Sequence, residues 1–473
     1  MIDTYLLYSA AWEMPYLFNQ YHPLRNIIFC AGEGLLIFST FSLVQYFLFG
    51  HFLYFYYFLA HLCQAALITF TFQLCLYFYD LYDFTHDQTL TETATKITQS
   101  FGLGCIILGI IYYSLPILTT SIRIFWPGYL ATCGIIMLWR WAYYFILRKR
   151  MFVQNILVLG TGSFASEIAK KIEGTHDSAH KIISFIGSNE VAFNPHHASI
   201  VEKIPNMASY CREHDIEQII LAMDDRRKKT PNKELLTCKL EGITVRQGVN
   251  FYEEITGKFP VEKIDPSGIF FSDGFTLGRW TNAVKRVLDI FLSILGIIIT
   301  LPVTIISSII IKLESPGPVF YLQERVGKRG QTFKVIKFRS MCQDAEKDGA
   351  VWALKNDKRV TRFGRLIRRV RIDEIPQMLN VLKGEMSFVG PRPERPVFVD
   401  ELSEKIPYYA IRHYVKPGIT GWAQVCYPYG ASVEDSLRKL EYDLYYMKNI
   451  SILMDLMIIF KTIKTVLFGT GGR

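Results

Sequence analysis

Two adjacent carboxylates, Asp373 and Glu374, close a stretch that otherwise holds only basic charge: Lys358, Arg359, Arg362, Arg365, Arg368, Arg369 and Arg371. Such a cluster gathers a diphosphate, and a carboxylate in it can attack phosphorus while its neighbour holds a divalent ion. The pair is followed by Ile375-Pro376 and a short helical run to about Leu382, with Gly384 past its end. Pro376 suits a first helical turn, which puts both carboxylates at a helix N-terminus, where the dipole favours their ionised forms. Composition alone leaves a second reading open, a charge pair that caps the helix and balances the arginines. Val360, Phe363, Leu366, Ile367 and Val370 recur among the cations at helical spacing, as in a helix lying on anionic lipid.

The elements that must position this cluster begin with Lys285-Arg286-Val287-Leu288-Asp289 and an uncharged run from Ile290 to Ile311. Basic residues flank both ends of the run, so the charge rule keeps both ends on one side of a membrane. Pro302 removes a backbone donor at mid-depth and breaks the helix there. The run is long enough for a fifth transmembrane span, which would export everything after Lys312; the favoured expectation is a re-entrant helix–break–helix over 286–312, with Pro302 as its structural pivot.

Upstream, four apolar stretches (27–49, 52–79, 101–119 and 123–147) are each long enough, or nearly so, to cross a hydrocarbon core. Tyr54, Tyr56, Tyr57, Trp126, Trp139 and Trp141 crowd their ends as an interfacial belt. The cluster Leu147-Arg148-Lys149-Arg150 marks the cytoplasmic side, and four crossings return the N-terminus there. Glu33 and Arg140 lie at similar depth in the first and fourth spans and are expected to pair, since an unpaired charge there is costly. No cleavable signal peptide is expected.

Between these regions the pattern is α/β. Residues 155–159 read as a buried strand, followed by the turn Gly160-Thr161-Gly162-Ser163-Phe164-Ala165 and a helix, with further strands at 181–186, 218–223 and 243–247. A G-x-G-x-x-A turn can seat a pyrophosphate on a helix N-terminus. No acidic residue follows at the usual spacing of about 20; Glu190 comes later, so a structural or regulatory role is the favoured reading over nucleotide binding.

Half of the 473 residues are hydrophobic and a fifth charged, which excludes a disordered chain and a purely soluble enzyme. Residues 271–473 hold 31 Lys+Arg against 20 Asp+Glu, whereas residues 1–270 hold 21 against 23. The basic excess therefore belongs to the C-terminal part and calls for anionic partners. Nine cysteines without C-x-x-C spacing support neither a disulfide framework nor a zinc site. The fold class that follows is a membrane protein, α plus α/β. A four-helix transmembrane bundle (1–150) precedes a Rossmann-like domain (151–250), a connector (251–284) and a mainly α catalytic domain (285–473) with a re-entrant hairpin.

Residues 285–470 resemble the catalytic domain of the bacterial polyprenyl-phosphate sugar-1-phosphate transferases, the monotopic phosphoglycosyl transferases. The resemblance rests on Ser315-Pro316-Gly317-Pro318-Val319-Phe320-Tyr321, on Phe333 to Met341, on Asp373-Glu374-Ile375-Pro376-Gln377, on Ser387 to Pro393 and on Lys416 to Val425. Glu346 to Ala350 and Tyr427 to Ala431 are similar to the exopolysaccharide subgroup associated with the exosortase system. The resemblance implies Asp373 as nucleophile, Glu374 as Mg²⁺ ligand, and phosphate contacts from Arg368, Lys337, Arg339 and Arg392. It implies transfer of a sugar-1-phosphate from a UDP-sugar to undecaprenyl phosphate at the cytoplasmic face of the bacterial inner membrane. Its implied partners are these substrates and membrane lipids, with a homodimer admitted and no nucleic acid. The family's hairpin commonly breaks at Ser-Pro, and this chain has Leu301-Pro302 instead.

Two alternatives belong to other classes. A membrane-anchored nucleotide-sugar dehydratase or epimerase needs Tyr-x-x-x-Lys, and no lysine here has a tyrosine four residues before it. A non-catalytic scaffold binding lipid or nucleic acid through its arginines has no need of Asp373-Glu374.

Overall fold

The computed structural model describes residues 16–17, 20–21, 24–82, 89–148, 153–174, 180–187, 191–194, 198–202, 204–224, 230–263, 274–275, 278–342, 359–428, 430 and 432–468. Lys149, Arg150, Glu190, Lys358 and the 346–350 stretch named above lie outside them, as do parts of 251–284 and of 427–431.

The chain divides into two units, one ending at Gly248 and the other running from Val249. The first holds helices α1 (Leu24–Tyr56), α2 (Phe58–Phe78), α3 (Leu90–Ser114) and α4 (Ile122–Arg148). Stretches Ile27–Gly50, Phe58–Phe78, Thr91–Ser114 and Ile122–Tyr143 are long and apolar enough to cross a membrane. The third helix starts at Leu90, about ten residues before the apolar stretch 101–119 read from the sequence. Its first turns are polar but well capped, Thr89 Oγ1 accepting from Glu92 N, so helix propensity carries it past the hydrophobic signal.

Large rings fill the bundle core, Phe41, Phe72 and Phe101 being fully buried. They fit because the facing helices present glycine: a Cβ on Gly104 would lie 2.6 Å from Phe72, and one on Gly128 2.6 Å from Phe41. The expected intramembrane pair is present. Arg140 Nε and Nη2 donate to Glu33 Oε1 and Oε2, each at 2.8 Å, and Nη1 donates to Leu81 O. Bidentate geometry and a carbonyl acceptor are what allow both charges to stay in an apolar setting.

The same unit contains a five-stranded parallel sheet: β1 (Gln154–Leu159), β2 (His180–Ile186), β3 (Ser199–Val201), β4 (Gln218–Leu221) and β5 (Thr244–Gln247), in the order β3-β2-β1-β4-β5. Helices α5 (Ser163–Glu173), α6 (Met207–Glu213) and α7 (Asn232–Leu240) alternate with the strands, as parallel crossovers require. Strand β3 escaped the sequence reading; three half-exposed or exposed residues carry no periodic signal. Gly160 has φ +134°, which opens the turn after β1. The N-terminus of α5 is already occupied from within. Ser163 N donates to Asp224 Oδ2 at 2.8 Å, and Phe164 N to Asp224 Oδ1 at 3.1 Å.

The second unit opens with α8 (Gly248–Thr256), so the expected connector is partly core. Phe259 and Val261 are buried in the unit's main hydrophobic cluster, and Trp422 Nε1 donates to Gly257 O. Lys448 Nζ holds Glu253 at 2.8 Å. Short runs between turns gave no period by which to place them. Next come α9 (Arg279–Glu314), the antiparallel strands β6 (Phe320–Val326) and β7 (Thr332–Phe338), and α10 (Arg362–Arg369). Then follow α11 (Gln377–Lys383), β8 (Ser387–Val389), α12 (Pro396–Lys405) and β9 (Gly418–Thr420), which pairs parallel with β8. Helices α13 (Trp422–Cys426), α14 (Val433–Lys448) and α15 (Ile452–Phe468) close the core.

The expected break in α9 is not a break. Pro302 lies inside one 36-residue helix, so the proline costs a hydrogen bond without unwinding the backbone. Both ends of that helix are fastened to the second unit. Near its start Lys285 binds Asp455 and Val389 O, and Asp289 accepts from Ser387 Oγ and Phe388 N. Near its end Ile311 is buried with Phe338 and Ile367. Between them Ile298, Ile299, Leu301, Ile305 and Ile306 stay exposed on several sides, a surface suited to hydrocarbon.

Candidate active site

The carboxylates sit on a single 3₁₀ turn, Ile372–Glu374, between α10 and α11. Pro376 is the residue before α11, so the pair precedes that helix instead of lying in its first turn. Arg371 makes the reversal possible by adopting φ +59°, a left-handed conformation that costs a non-glycine residue about 1 kcal/mol. Thr361 caps α10 by accepting from Gly364 N, and Glu314 at the end of α9 accepts from Phe363 N. Gly364 is needed there, since a Cβ would lie 2.1 Å from Ser340 O. On the other side Asn380 is fully buried. It accepts from Ile336 N and donates to Lys334 O and Glu385 Oε2, which ties α11 to strand β7. Arg286 donates to Val381 O and Leu382 O, carbonyls at the C-terminal end of α11. Thus the two ends of α9 hold the two helices that flank the pair.

Strand β7 delivers Lys337, and the loop after β8 delivers Arg392. Both converge on Glu374 Oε1, at 3.4 and 2.7 Å, with Arg371 at 3.6 Å. The Arg392 loop is itself pinned: Arg412 donates to Arg392 O, Asp443 and the Tyr409 hydroxyl, and Arg325 donates to Pro393 O and Glu394.

The two carboxylates are therefore unlike. Burial pushes Glu374 up, but the charges of Arg392, Lys337 and Arg371 outweigh it and hold its carboxyl well below the usual range. Asp373 is pushed up to about 6 by burial and by its charged neighbour Glu374, against the pull of Lys337, Arg368 and Arg392. Its Oδ1 is buried and meets no hydrogen-bond partner among the described residues. Three cations meet at one oxygen of Glu374, whereas Asp373 keeps an oxygen with no partner among the described residues.

Of the expected phosphate contacts, the structure brings Lys337 and Arg392 to the pair, and Arg368 bears on Asp373 by charge from the half-buried side of α10. Arg362, Arg365 and Arg369 are exposed. Arg339 departs from expectation. It is buried, and its guanidinium donates to Ile311 O, Ser315 O and Pro316 O, so it fastens the end of α9. A carbonyl cluster can attract an arginine as well as a phosphate does, and sequence does not separate the two. Arg371, counted among the cations but given no role, joins the cluster on Glu374. Arg325 and Asn380 lie in strings, Gln323 to Gly327 and Leu379 to Gly384, that share in the family resemblance but were given no role, and Arg412 was not singled out; their partners are up to 69 residues away.

No group of three or more His, Cys, Asp or Glu side chains converges among the described residues. Magnesium does not need one; it binds through one or two carboxylates, substrate phosphates and water. Glu374, a carboxylate held ionised next to the open Asp373 oxygen at which a substrate phosphate would arrive, fits that donor set.

Comparison with known proteins follows this geometry. Residues 280–469 match the family described as bacterial sugar transferase, and residues 78–245 match one described as CoA-binding domain. The chain is 45% identical over 240 residues to the UDP-N-acetylgalactosamine-undecaprenyl-phosphate N-acetylgalactosaminephosphotransferase of Aeromonas hydrophila, covering 50% of this chain and 56% of that protein. It is 41% identical over 186 residues to the UDP-glucose:undecaprenyl-phosphate glucose-1-phosphate transferase of Caulobacter vibrioides, covering 39% of this chain and 69% of that one. An exopolysaccharide production protein of Rhizobium leguminosarum is 41% identical over 189 residues, 38% of this chain and 93% of its own length. The match thus spans little more than half of the Aeromonas protein.

Proposed function

The chain belongs to the bacterial polyprenyl-phosphate sugar-1-phosphate transferases, and on that premise we propose that it transfers a sugar-1-phosphate from a UDP-sugar to undecaprenyl phosphate, releasing UMP, as the first membrane step of exopolysaccharide synthesis. The observation that carries the reading is the unequal pair, a buried carboxylate with a free oxygen beside one held ionised by three cations on a single oxygen.

Asp373 Oδ1 attacks the sugar-bearing phosphorus of the donor. The bond from that phosphorus to the bridging oxygen breaks, UMP leaves with the bonding pair, and an aspartyl-phosphosugar remains. An oxygen of the lipid phosphate then attacks the same phosphorus, breaking the bond to Asp373 and restoring its carboxylate. Neither step needs a proton. Covalent catalysis divides one difficult transfer into two easier ones. Arg368, Lys337 and Arg392 meet the charge that builds on the phosphoryl oxygens, an effect that needs fixed donors. The pinning of Arg392 by Arg412 supplies that fixity. Mg²⁺, held by Glu374 and phosphate oxygens, would neutralise the diphosphate. The site works at the cytoplasmic face of the inner membrane, with α9, one unbroken helix through Pro302, bending so that it enters and leaves by one leaflet. Support for that topology is the anchoring of both its ends in the same unit.

The test uses purified full chain with Mg²⁺ and a panel beginning with UDP-N-acetylgalactosamine and UDP-glucose, without lipid acceptor. Mass spectrometry should find a phosphosugar on the peptide containing Asp373, with UMP released in equal amount. An adduct on another peptide overturns the assignment.

A further inference from the structure

At the far end of α11 from the carboxylates, one member of a group of cations lacks an acceptor among the described residues. Lys416 is half-buried, yet its ammonium has no hydrogen bond or ion pair with a described residue. A Cβ built on Gly384 would lie 3.7 Å from Lys416 Nζ and 3.5 Å from Arg286 Nη2. Both cations therefore converge on the open spot above the left-handed turn that ends α11. The turn Lys328–Gly330 packs on Tyr409–Tyr414, which brings exposed Lys328 towards the same place. Burial holds the Lys416 pKa below the ordinary lysine value, and Arg286, Lys328 and Lys285 push it the same way, against Asp289.

Most of the internal acceptors nearby are engaged, and Asp289 acts on Lys416 by charge without an ion pair to it. Asp455 takes Lys285, Asp289 takes Ser387 and Phe388 N, and the carbonyls of Val381 and Leu382 take Arg286. Removing an ammonium from water without an acceptor is unfavourable, so a half-buried Lys416 facing other cations points to an anion from outside. The surroundings indicate which kind. Val287, next to Arg286, is 67% exposed, Trp280 84% and Tyr414 69%. The apolar run of α9 begins a few residues further on. Exposed aromatic residues beside cations at the start of an apolar run mark the level at which lipid headgroups lie.

We propose that Lys416, Arg286 and Lys328 form a binding site for the phosphate headgroup of a membrane lipid in the leaflet that α9 enters, separate from the Asp373–Glu374 site. The site does not depend on which sugar is transferred, or on transfer at all. It takes a headgroup phosphate whose acyl or prenyl chains run along the exposed side of α9.

The test compares the full-length parent with the Lys328→Gln, Lys416→Gln double variant; Arg286 stays, because it also holds α11. Each protein is released from nanodiscs of phosphatidylcholine and phosphatidylglycerol, and the lipid retained is counted by native mass spectrometry. The parent should keep phosphatidylglycerol at detergent concentrations that strip it from the variant, with about thirtyfold weaker retention in the variant, given the usual effect of two lysines at a membrane surface. Arg362→Gln with Arg365→Gln removes the same charge from α10 and should leave this tightly held lipid in place. Equal retention by parent and lysine variant overturns the site, as does equal loss in the two double variants. Millimolar inorganic phosphate should fail to displace the lipid; displacement would assign the site to free phosphate. Thermal unfolding in lipid-free detergent gives an independent readout. The lysine variant should be at least as stable as the parent there, since repulsion is relieved, and a less stable variant would make Lys416 a structural residue and overturn the proposal.

Discussion

Asp224 and Asp373 both stand where a phosphate could be met, and they are used in opposite ways. Asp224 fills the helix N-terminus beyond the glycine turn, each oxygen accepting a backbone N–H. Asp373 is buried among cations with one oxygen unsatisfied. The first site has the better-known motif and is closed by its own chain; the second has a plain dipeptide and is left open. A motif records which backbone a turn can adopt, and the state of the polar atoms around it decides whether a ligand has anything to bind.

The sharpest way to break the comparison is at the open carboxylate. Asp373→Asn keeps the shape and removes the nucleophile, so transfer should fall by at least about 10³-fold in a UMP-release assay. Normal turnover would leave Asp373 no different in kind from Asp224. Next, Arg368→Ala should lower turnover on the order of 10²-fold in detergent with saturating acceptor, as expected for a fixed donor acting on developing charge. A change in KM alone would mean that Arg368 only gathers substrate.

At the closed carboxylate the effect should be on stability. Asp224→Ala leaves two amides of α5 without their acceptor, which costs about 1–2 kcal/mol and should appear as a lower unfolding midpoint with transfer unchanged. Tight nucleotide binding by the parent at this turn, lost on mutating Ser163, would show that Asp224 swings aside. The smallest effect is expected for Arg365→Ala, an exposed residue of α10. It should be close to the parent in detergent and fall behind only in bilayers rich in anionic lipid, with the gap narrowing as salt is added.

What the sequence disclosed were features in which one segment carries the whole signal. The paired carboxylates, the four apolar helices and the first βα unit belong to that class. So does the Glu33–Arg140 pair, because hydrocarbon leaves two buried charges few other choices. Features set by distant partners were hidden. Arg339 looked like a phosphate ligand because nothing local shows three carbonyls waiting at residues 311, 315 and 316. Asn380 looked like an ordinary helix residue, although it fixes α11 to the strand that carries Lys337. The left-handed Arg371 is a further case, since arginine gives no hint of the conformation its neighbours impose.

The fastening of α9 at both ends also sets an order of events during synthesis. Arg339 grips its last turn across 28 residues, so that clasp can close soon after the helix leaves the ribosome. The clasps at its start close later and in two stages: Arg286 and Asp289 meet partners 95 to 99 residues downstream, and Lys285 meets Asp455 170 residues downstream. Until the end of α11 and strand β8 are made the helix is held at one end only, and a nascent chain stalled between there and residue 455 lacks the ion pair that buries the Lys285 charge. Helix α15 thus supplies the last clasp of a membrane element begun long before it.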